Sequence, residues 1–263
     1  MSTAVITGAT AGIGLAFARR LAGEGLDLVL VARDESRLSS LAADLRGPGR
    51  IQVEVLAADL TEREGVDRVA ARLADRAAPV DLLVNNAGFG LNEGFLDSDV
   101  ADEQRLLDIL VTAPMRLTHA ALPGMVDRSQ GAVVNVGSVA AWIAGGTYSA
   151  AKSWLTVFSE SVDREVAGTG VHVTCVAPGF THTEFHRRAE MDMQGLPEWM
   201  WLDVDAVVDA ALRDVRRGRP LSVPGSQYKV LSTLARYLPR PVVRRASGSR
   251  PNERNRKRVR SGA

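Results

Sequence analysis

Residues Thr7-Gly8-Ala9-Thr10-Ala11-Gly12-Ile13-Gly14 join a short apolar run at 4–7 to a stretch with helical spacing at 12–24. Glycines at such a joint let the chain turn sharply, bring backbone close to a pyrophosphate with no Cβ in the way, and pack the helix against a sheet. The start of the helix adds amide hydrogens and the positive end of a dipole for the anion. The spacing is G-x-x-x-G-x-G rather than G-x-G-x-x-G, so the loop alone leaves open a glycine turn chosen only for tightness.

Working outward, runs of strand length recur at 26–32, 52–57, 80–85, 132–136, 171–177 and 221–223. Most are continuously apolar rather than alternating, the pattern of strands buried on both faces. Helical spacings lie between them at 34–45, 62–78, 100–127, 148–167 and 203–217. Strand and helix in alternation predict a single-domain α/β fold, a doubly wound parallel sheet of about seven strands with helices on both faces. No repeat or linker precedes Gly225, so residues 1–225 read as one catalytic domain, followed by a basic amphipathic segment at 226–246 and a disordered basic tail at 247–263.

Composition narrows the class. The chain has 263 residues, 46% hydrophobic and 24% charged, which excludes disordered and collagen-like proteins. No apolar run approaches the ~18–20 residues of a membrane span, and the first strand begins almost at Met1, so the reading is a soluble, cytoplasmic protein without a signal peptide. The single cysteine, Cys175, reads as a buried strand residue. The net charge of +1 averages an acidic body with a basic end: eleven Lys/Arg and one acid, Glu253, lie from Lys229 onward.

Ligands of an open α/β sheet bind at the carboxyl ends of its strands. The second strand ends Ala32-Arg33 where an NAD site wants a carboxylate, and a guanidinium suits a 2′-phosphate, so the reading favours NADP over NAD. Asp34 next to it reads as the N-cap of the following helix. Asp59-Leu60 ends the third strand and Asn85-Asn86-Ala87-Gly88 the fourth. Asn135-Val-Gly-Ser138 ends the fifth strand, and Tyr148-Ser-Ala-Ala-Lys152 opens a helix. At i and i+4 the tyrosine and lysine share one helix face. An ammonium there is expected to pull the phenol below its ordinary ~10, so that Tyr148 exchanges a proton with a carbonyl or alcohol oxygen while Ser138 hydrogen-bonds the same oxygen.

In this order, T-G-x-x-x-G-I-G, Asp59-Leu60, Asn85 to Gly88, Ser138, Tyr148, Lys152 and Pro178-Gly179, the sequence resembles the short-chain dehydrogenase/reductase family over about residues 3–224. The resemblance implies a Rossmann-type fold, with Tyr148 as acid/base, Ser138 orienting the substrate oxygen and Lys152 also on the nicotinamide ribose. It places the cofactor against Gly8, Thr10, Gly12, Ile13, Gly14, Arg33, Asp59, Leu60, Asn86, Ala87, Gly88, Pro178 and Gly179, with Thr181 or Thr183 near the carboxamide. It also implies a homodimer or homotetramer through the helices at 100–127 and 148–167. One position departs: Leu110 stands where the family carries an asparagine that helps hold a proton-relay water. Pro114 would clash with the carbonyl of residue 110 in a regular helix, and the resulting kink is expected to present that carbonyl to the water instead.

The lid at 180–203 contains Phe180, Phe185, Met191, Met193, Trp199, Met200 and Trp201, which suggests a soft apolar pocket, or else packing of the lid onto the body. The expected substrate is a hydrophobic small-molecule ketone, aldehyde or secondary alcohol. His182 and His186 at i and i+4 read as lid surface rather than a metal pair, since the chemistry needs no metal. A non-catalytic NADP-binding sensor on the same fold is the alternative, and dehydration or epimerisation a third reading. The basic segment suits an anionic membrane surface, acidic surface of its own oligomer, or solubilisation alone. Nucleic acid is not expected, because no recognition fold accompanies the charge.

Overall fold

The computed structural model describes residues 2–49, 51–184 and 197–246. Seven parallel strands run in the order β3-β2-β1-β4-β5-β6-β7. They are β1 (Thr3–Thr7), β2 (Asp27–Ala32), β3 (Val53–Ala57), β4 (Leu82–Asn85), β5 (Gly131–Val136), β6 (Val171–Val176) and β7 (Leu221–Ser222). The helices are α1 (Gly12–Gly23), α2 (Glu35–Gly49), α3 (Arg63–Ala74), α4 (Val100–Leu107), α5 (Ala113–Asp127), α6 (Gly146–Glu165), α7 (Val204–Val215), α8 (Ser226–Tyr237) and α9 (Arg240–Ala246).

Side chains alternate across each strand, and both faces are apolar. Ala4, Ile6, Leu28 and Leu30 pack with Phe17, Leu21, Leu38, Val208 and Leu212 from α1, α2 and α7. Their neighbours Val5, Val29, Val31, Leu83 and Val133 pack on the opposite face with Val66, Val69, Leu117, Met125 and Val162 from α3, α5 and α6. This double burial is why the strands read as unbroken apolar runs. Cys175 is wholly buried within β6, and burial pushes its thiol up to about 11, which keeps it a thiol.

The long helix expected at 100–127 is divided. α4 gives way to a π-helical turn at Asp108–Thr112, closed by the Ala113 amide on the Asp108 carbonyl, and α5 begins with Pro114 in its first turn. Proline has no amide to donate to residue 110, so the chain takes the wider turn there. The direction change predicted from Pro114 is therefore realised as an inserted residue in the helical ladder.

Inside the sheet, a polar chain crosses three elements. Asn85 Nδ2 donates to Asn135 Oδ1 at 2.8 Å, Asn135 Nδ2 donates to Ser159 Oγ at 2.9 Å, and Ser159 Oγ donates to the Leu155 carbonyl at 2.7 Å. Because the last donor has only a carbonyl to serve, the orientation of both amides is set. Replacing Asn135 strands a donor and an acceptor at full burial, each costing about 1–3 kcal/mol. Asn135→Ala is expected to lower the unfolding free energy by about 2 kcal/mol or more, measured by denaturant titration at unchanged m-value.

Candidate active site

Every strand is parallel, so the carboxyl ends of β1 to β6 share one edge, and the order reverses between β1 and β4, where such sheets take their ligands. At that point Thr7 Oγ1 accepts the backbone amides of Asn86 and Ala87 at 2.9 and 3.0 Å. Asn86 Nδ2 returns a bond to the Thr7 carbonyl at 2.9 Å. Gly8 has φ +66°, and a Cβ on it would lie 2.8 Å from Asn86 Nδ2. A Cβ on Gly14 would lie 2.3 Å from the Gly8 carbonyl oxygen. α1 starts without a side-chain cap or an acidic residue in its first turn, which leaves its amides to an anion. The loop is packed so closely on its own neighbours that only glycine fits at positions 8 and 14, and it presents bare backbone at the start of α1.

At the adjoining strand ends, the Arg33 side chain is about two-thirds exposed and its Nη1 lies 4.0 Å from Asp59 Oδ2. Burial pushes the Asp59 carboxyl up, but the Thr61 amide and hydroxyl and the Arg33 guanidinium bring it below the usual range. Asp34 caps α2, accepting the Arg37 amide at 3.0 Å and the Ser36 hydroxyl at 2.7 Å. Arg37 was not singled out from sequence. Its Nη2 donates to the Thr10 carbonyl at 3.2 Å, which sets a second guanidinium beside the glycine loop. Its signal was the i, i+4 spacing from Arg33.

On the other side of the switch point, β5 runs into Gly137 and Ser138. The Gly137 amide donates to the Val176 carbonyl and the Val139 amide to Pro178, which ties the end of β5 to that of β6. Ser138 Oγ accepts the Ala140 amide at 3.1 Å and caps a 3₁₀ turn, Val139–Trp142. Tyr148 and Lys152 lie one turn apart on α6, with Lys152 Nζ 5.7 Å from the centre of the Tyr148 ring. Lys152 is buried, and its Nζ donates to the Val136 carbonyl at 2.6 Å.

The electrostatics differ from the sequence expectation. Burial pushes the Tyr148 phenol up to about 12, only partly opposed by its bond to Ser138. Burial also brings the Lys152 ammonium down to about 8. Desolvation is the larger cause for each group: the Ser138 bond opposes it at Tyr148 and the Cys175 thiol opposes it at Lys152.

A cavity of about 10 Å³ lies behind Lys152, lined by Thr7, Asn85, Leu110, Pro114 and Val136 among others. It matches the space of about one water molecule. Asn85 Oδ1 is buried and has no partner among the described residues, so the cavity wall carries an acceptor as well as a cation. Leu110 is buried and reaches toward Gly88, whose Cβ would meet Leu110 Cδ2 at 2.7 Å. The leucine thus packs where the family's asparagine is expected, and Asn85 supplies a carboxamide nearby.

The lid begins after Pro178. Thr181 is buried, donates to the Gly179 carbonyl at 3.0 Å and pairs with Leu202, while the Thr183 side chain lies 3.2 Å from where a Gly12 Cβ would stand. Phe180, Trp201 and His182 form an aromatic group, His182 stacked on Trp201 with ring centres 4.7 Å apart and its Nε2 3.3 Å from Glu198. Phe185, His186, Met191 and Met193 lie outside the described residues, as does the tail at 247–263. Among the described residues no group of three or more His, Cys, Asp or Glu could hold a metal ion. Ile13, Leu60, Ala87 and Gly88 line the same edge as the residues above.

The description "short chain dehydrogenase" belongs to the family whose model matches residues 2–194. Sulfoacetaldehyde reductase from Chromohalobacter salexigens is 40% identical over 185 residues, 68% of this chain and 72% of that protein. A short-chain dehydrogenase from Sphingobium yanoikuyae, solved in complex with NADPH, superposes with a TM-score of 0.82 at 37% identity over 90% of this chain and 94% of its own. The bulky-bulky ketone specific alcohol dehydrogenase from Comamonas testosteroni superposes with a TM-score of 0.78 at 32% identity over 90% and 92%.

The buried ammonium carries a stability consequence. Lys152 ionises near 8 when folded and near 10.5 when unfolded, so below pH 8 the folded chain bears the full cost of the buried charge, and above about 10.5 none of it. Lys152→Met is expected to stabilise the fold at pH 7 by about 1–3 kcal/mol, net of the lost bond to Val136. That gain shrinks as pH rises from 8 to 10.5, read from chemical denaturation across this range.

Proposed function

The chain belongs to the short chain dehydrogenase family, and from that premise we propose that it is an NADP-dependent oxidoreductase interconverting a ketone or aldehyde and an alcohol on a hydrophobic small molecule. The observation that carries the reading is Tyr148 bonded to Ser138 with Lys152 Nζ 5.7 Å from its ring, all at the carboxyl edge of the sheet. The uncapped start of α1 behind Gly8, Gly12 and Gly14 supports binding of the cofactor's diphosphate at this loop. Arg33 and Arg37 beside the glycine loop support a 2′-phosphate there, and in this reading Thr181 or Thr183 serves the carboxamide end.

NADPH held at this loop by Gly8, Gly12, Gly14 and Arg33 would supply the hydride for the carbonyl carbon. The chain's own residues handle the oxygen and its proton. Ser138 donates a hydrogen bond to the carbonyl oxygen and aligns it with the phenol. Tyr148, protonated up to about pH 12, gives its proton to that oxygen as negative charge develops on it. The Lys152 ammonium stabilises the phenolate left behind, and the Leu110 carbonyl with Asn85 Oδ1 offers acceptors for a water that returns the proton from solvent. In oxidation the same groups run in reverse.

Phe180, Trp201, Phe89 and Trp142 around this edge favour an apolar substrate, and the likeness to the bulky-bulky ketone specific alcohol dehydrogenase of Comamonas testosteroni is consistent with a bulky one. Exposed Val100, Met115 and Val157 on α4, α5 and α6 support a homodimer or homotetramer through these helices. No helix of the described residues is long and apolar enough to cross a membrane. α8 and α9 leave Val230, Leu231, Leu234, Tyr237 and Val242 exposed beside basic residues, which supports weak contact with an anionic membrane surface.

Tyr148→Phe is expected to reduce carbonyl turnover by at least a thousandfold while NADPH still quenches protein fluorescence; retained turnover on an authentic substrate would refute the acid/base role. With NADPH limiting, kcat/KM for reduction is expected to fall as pH rises through about 8, where Lys152 loses its charge while Tyr148 stays protonated. Arg33→Ala is expected to raise KM for NADPH tenfold or more and leave that for NADH within twofold, measured by cofactor oxidation with a panel of hydrophobic carbonyls. Equal pelleting of the full chain and a 1–246 truncation with phosphatidylserine vesicles would exclude tail-mediated membrane contact.

A further inference from the structure

The two stems of the lid are joined to each other and to the carboxyl-terminal helix. Leu202 donates its amide to the Phe180 carbonyl at 2.8 Å, and His182 donates to the Leu202 carbonyl at 3.0 Å. Tyr228, on the first turn of α8, reaches both stems at once. Its Oη accepts the Phe180 amide at 3.1 Å and donates to the Met200 carbonyl at 2.6 Å. Its ring lies flat against Gly179: a Cβ there would stand 2.0 Å from Cζ and 2.1 Å from Cε2. Tyr228 is only 2% exposed, the largest of the fully buried side chains. Gln227 beside it donates to the Trp199 carbonyl at 3.2 Å, and a Cβ at Gly225 would meet Leu202 Cδ2 at 2.8 Å.

From this geometry we infer that Tyr228 is a positioning residue that sets the two stems, at 179–184 and 197–202, beside the site, and that α8 is a working part of the catalytic unit. One phenol serves a donor on the entering stem and an acceptor on the leaving stem, and so adds a side-chain tie from α8 to the two main-chain bonds that already join the stems. The entering stem carries Thr181 and Thr183, and Thr183 rests against Gly12 of the phosphate loop. A shift of the stems therefore moves side chains that face the cofactor and the aromatic group that faces the substrate. Tyr228 touches neither; it acts through Gly179, Phe180 and Met200. The inference rests on the proposed reductase activity for its kinetic readout, and on NADPH binding for a readout that does not need it.

Tyr228→Phe keeps the ring on Gly179 and removes both hydroxyl bonds. It is expected to raise KM for the carbonyl about tenfold and the NADPH dissociation constant about threefold or more, with kcat changed less than threefold and the melting temperature within a few degrees. Gln227→Ala is expected to shift the same constants in the same direction by about twofold, and Tyr237→Phe, on the exposed face of α8, to shift neither. A merely structural Tyr228 would instead lower the melting temperature and the active fraction while leaving KM and the dissociation constant of the surviving enzyme unchanged. That result, or constants within twofold of the parent in both Tyr228→Phe and Gln227→Ala, overturns the inference. If the parent protein reduces no carbonyl but Tyr228→Phe still weakens NADPH binding, the activity reading fails and the positioning role stands.

Discussion

The hydroxyl of Thr7 accepts two consecutive backbone amides, those of Asn86 and Ala87, and donates to the Val84 carbonyl at 3.3 Å. This joint is made where the winding of the sheet reverses. On one side of it stands the glycine loop, and on the other the β4 and β5 ends that lead to Ser138. Its bonds leave no freedom for the two halves to separate, because each partner is main chain belonging to a buried strand or its end. Asn86 then occupies the space that any Cβ on Gly8 or Gly14 would need, so the phosphate cradle depends on the same joint. The nucleotide side and the chemical side of the site are held in one frame by a threonine side chain of three heavy atoms.

Around that frame the chain accepts burial costs that only function explains. Lys152 is buried with its ammonium on a carbonyl, Asn85 holds an acceptor without a partner among the described residues, and the Tyr148 phenol is pushed up to about 12. Buried polar groups left in this state each cost stability. They concentrate at one strand edge, beside a cavity of about one water, as expected of the proposed active site. The i, i+4 spacing suggested a phenol lowered by a neighbouring ammonium; burial instead raises it, opposed by the bond to Ser138.

The sheet, its parallel direction and the identities of Ser138, Tyr148 and Lys152 were all legible in the linear pattern. Apolar runs of strand length and glycines at the first turn are local signals, and a Tyr and Lys four apart on a helix meet without help from the rest of the fold. The break at Pro114 was also legible, since a missing amide acts on its own helix. Its form was not: a π turn at Asp108–Thr112 depends on where Leu110 packs against Gly88, Phe89 and Ala151. Arg37 escaped notice because its tie to Thr10 spans 27 residues, and the four-residue spacing from Arg33 is common on any helix.

Tyr228 shows the limit most clearly. In the sequence it is one aromatic residue in an amphipathic stretch after Gly225, indistinguishable from Tyr237 on the same helix. In the fold one is buried between the stems of the lid and the other is 85% exposed. Sequence by itself determined which elements form and which residue types gather at the carboxyl edge of the sheet, because those depend on periodicity and on neighbours within a turn. Only the tertiary structure decided that burial raises the Tyr148 phenol and lowers the Lys152 ammonium, and which residue of a distant helix ties the two lid stems, because both depend on contacts between segments that the chain order does not relate.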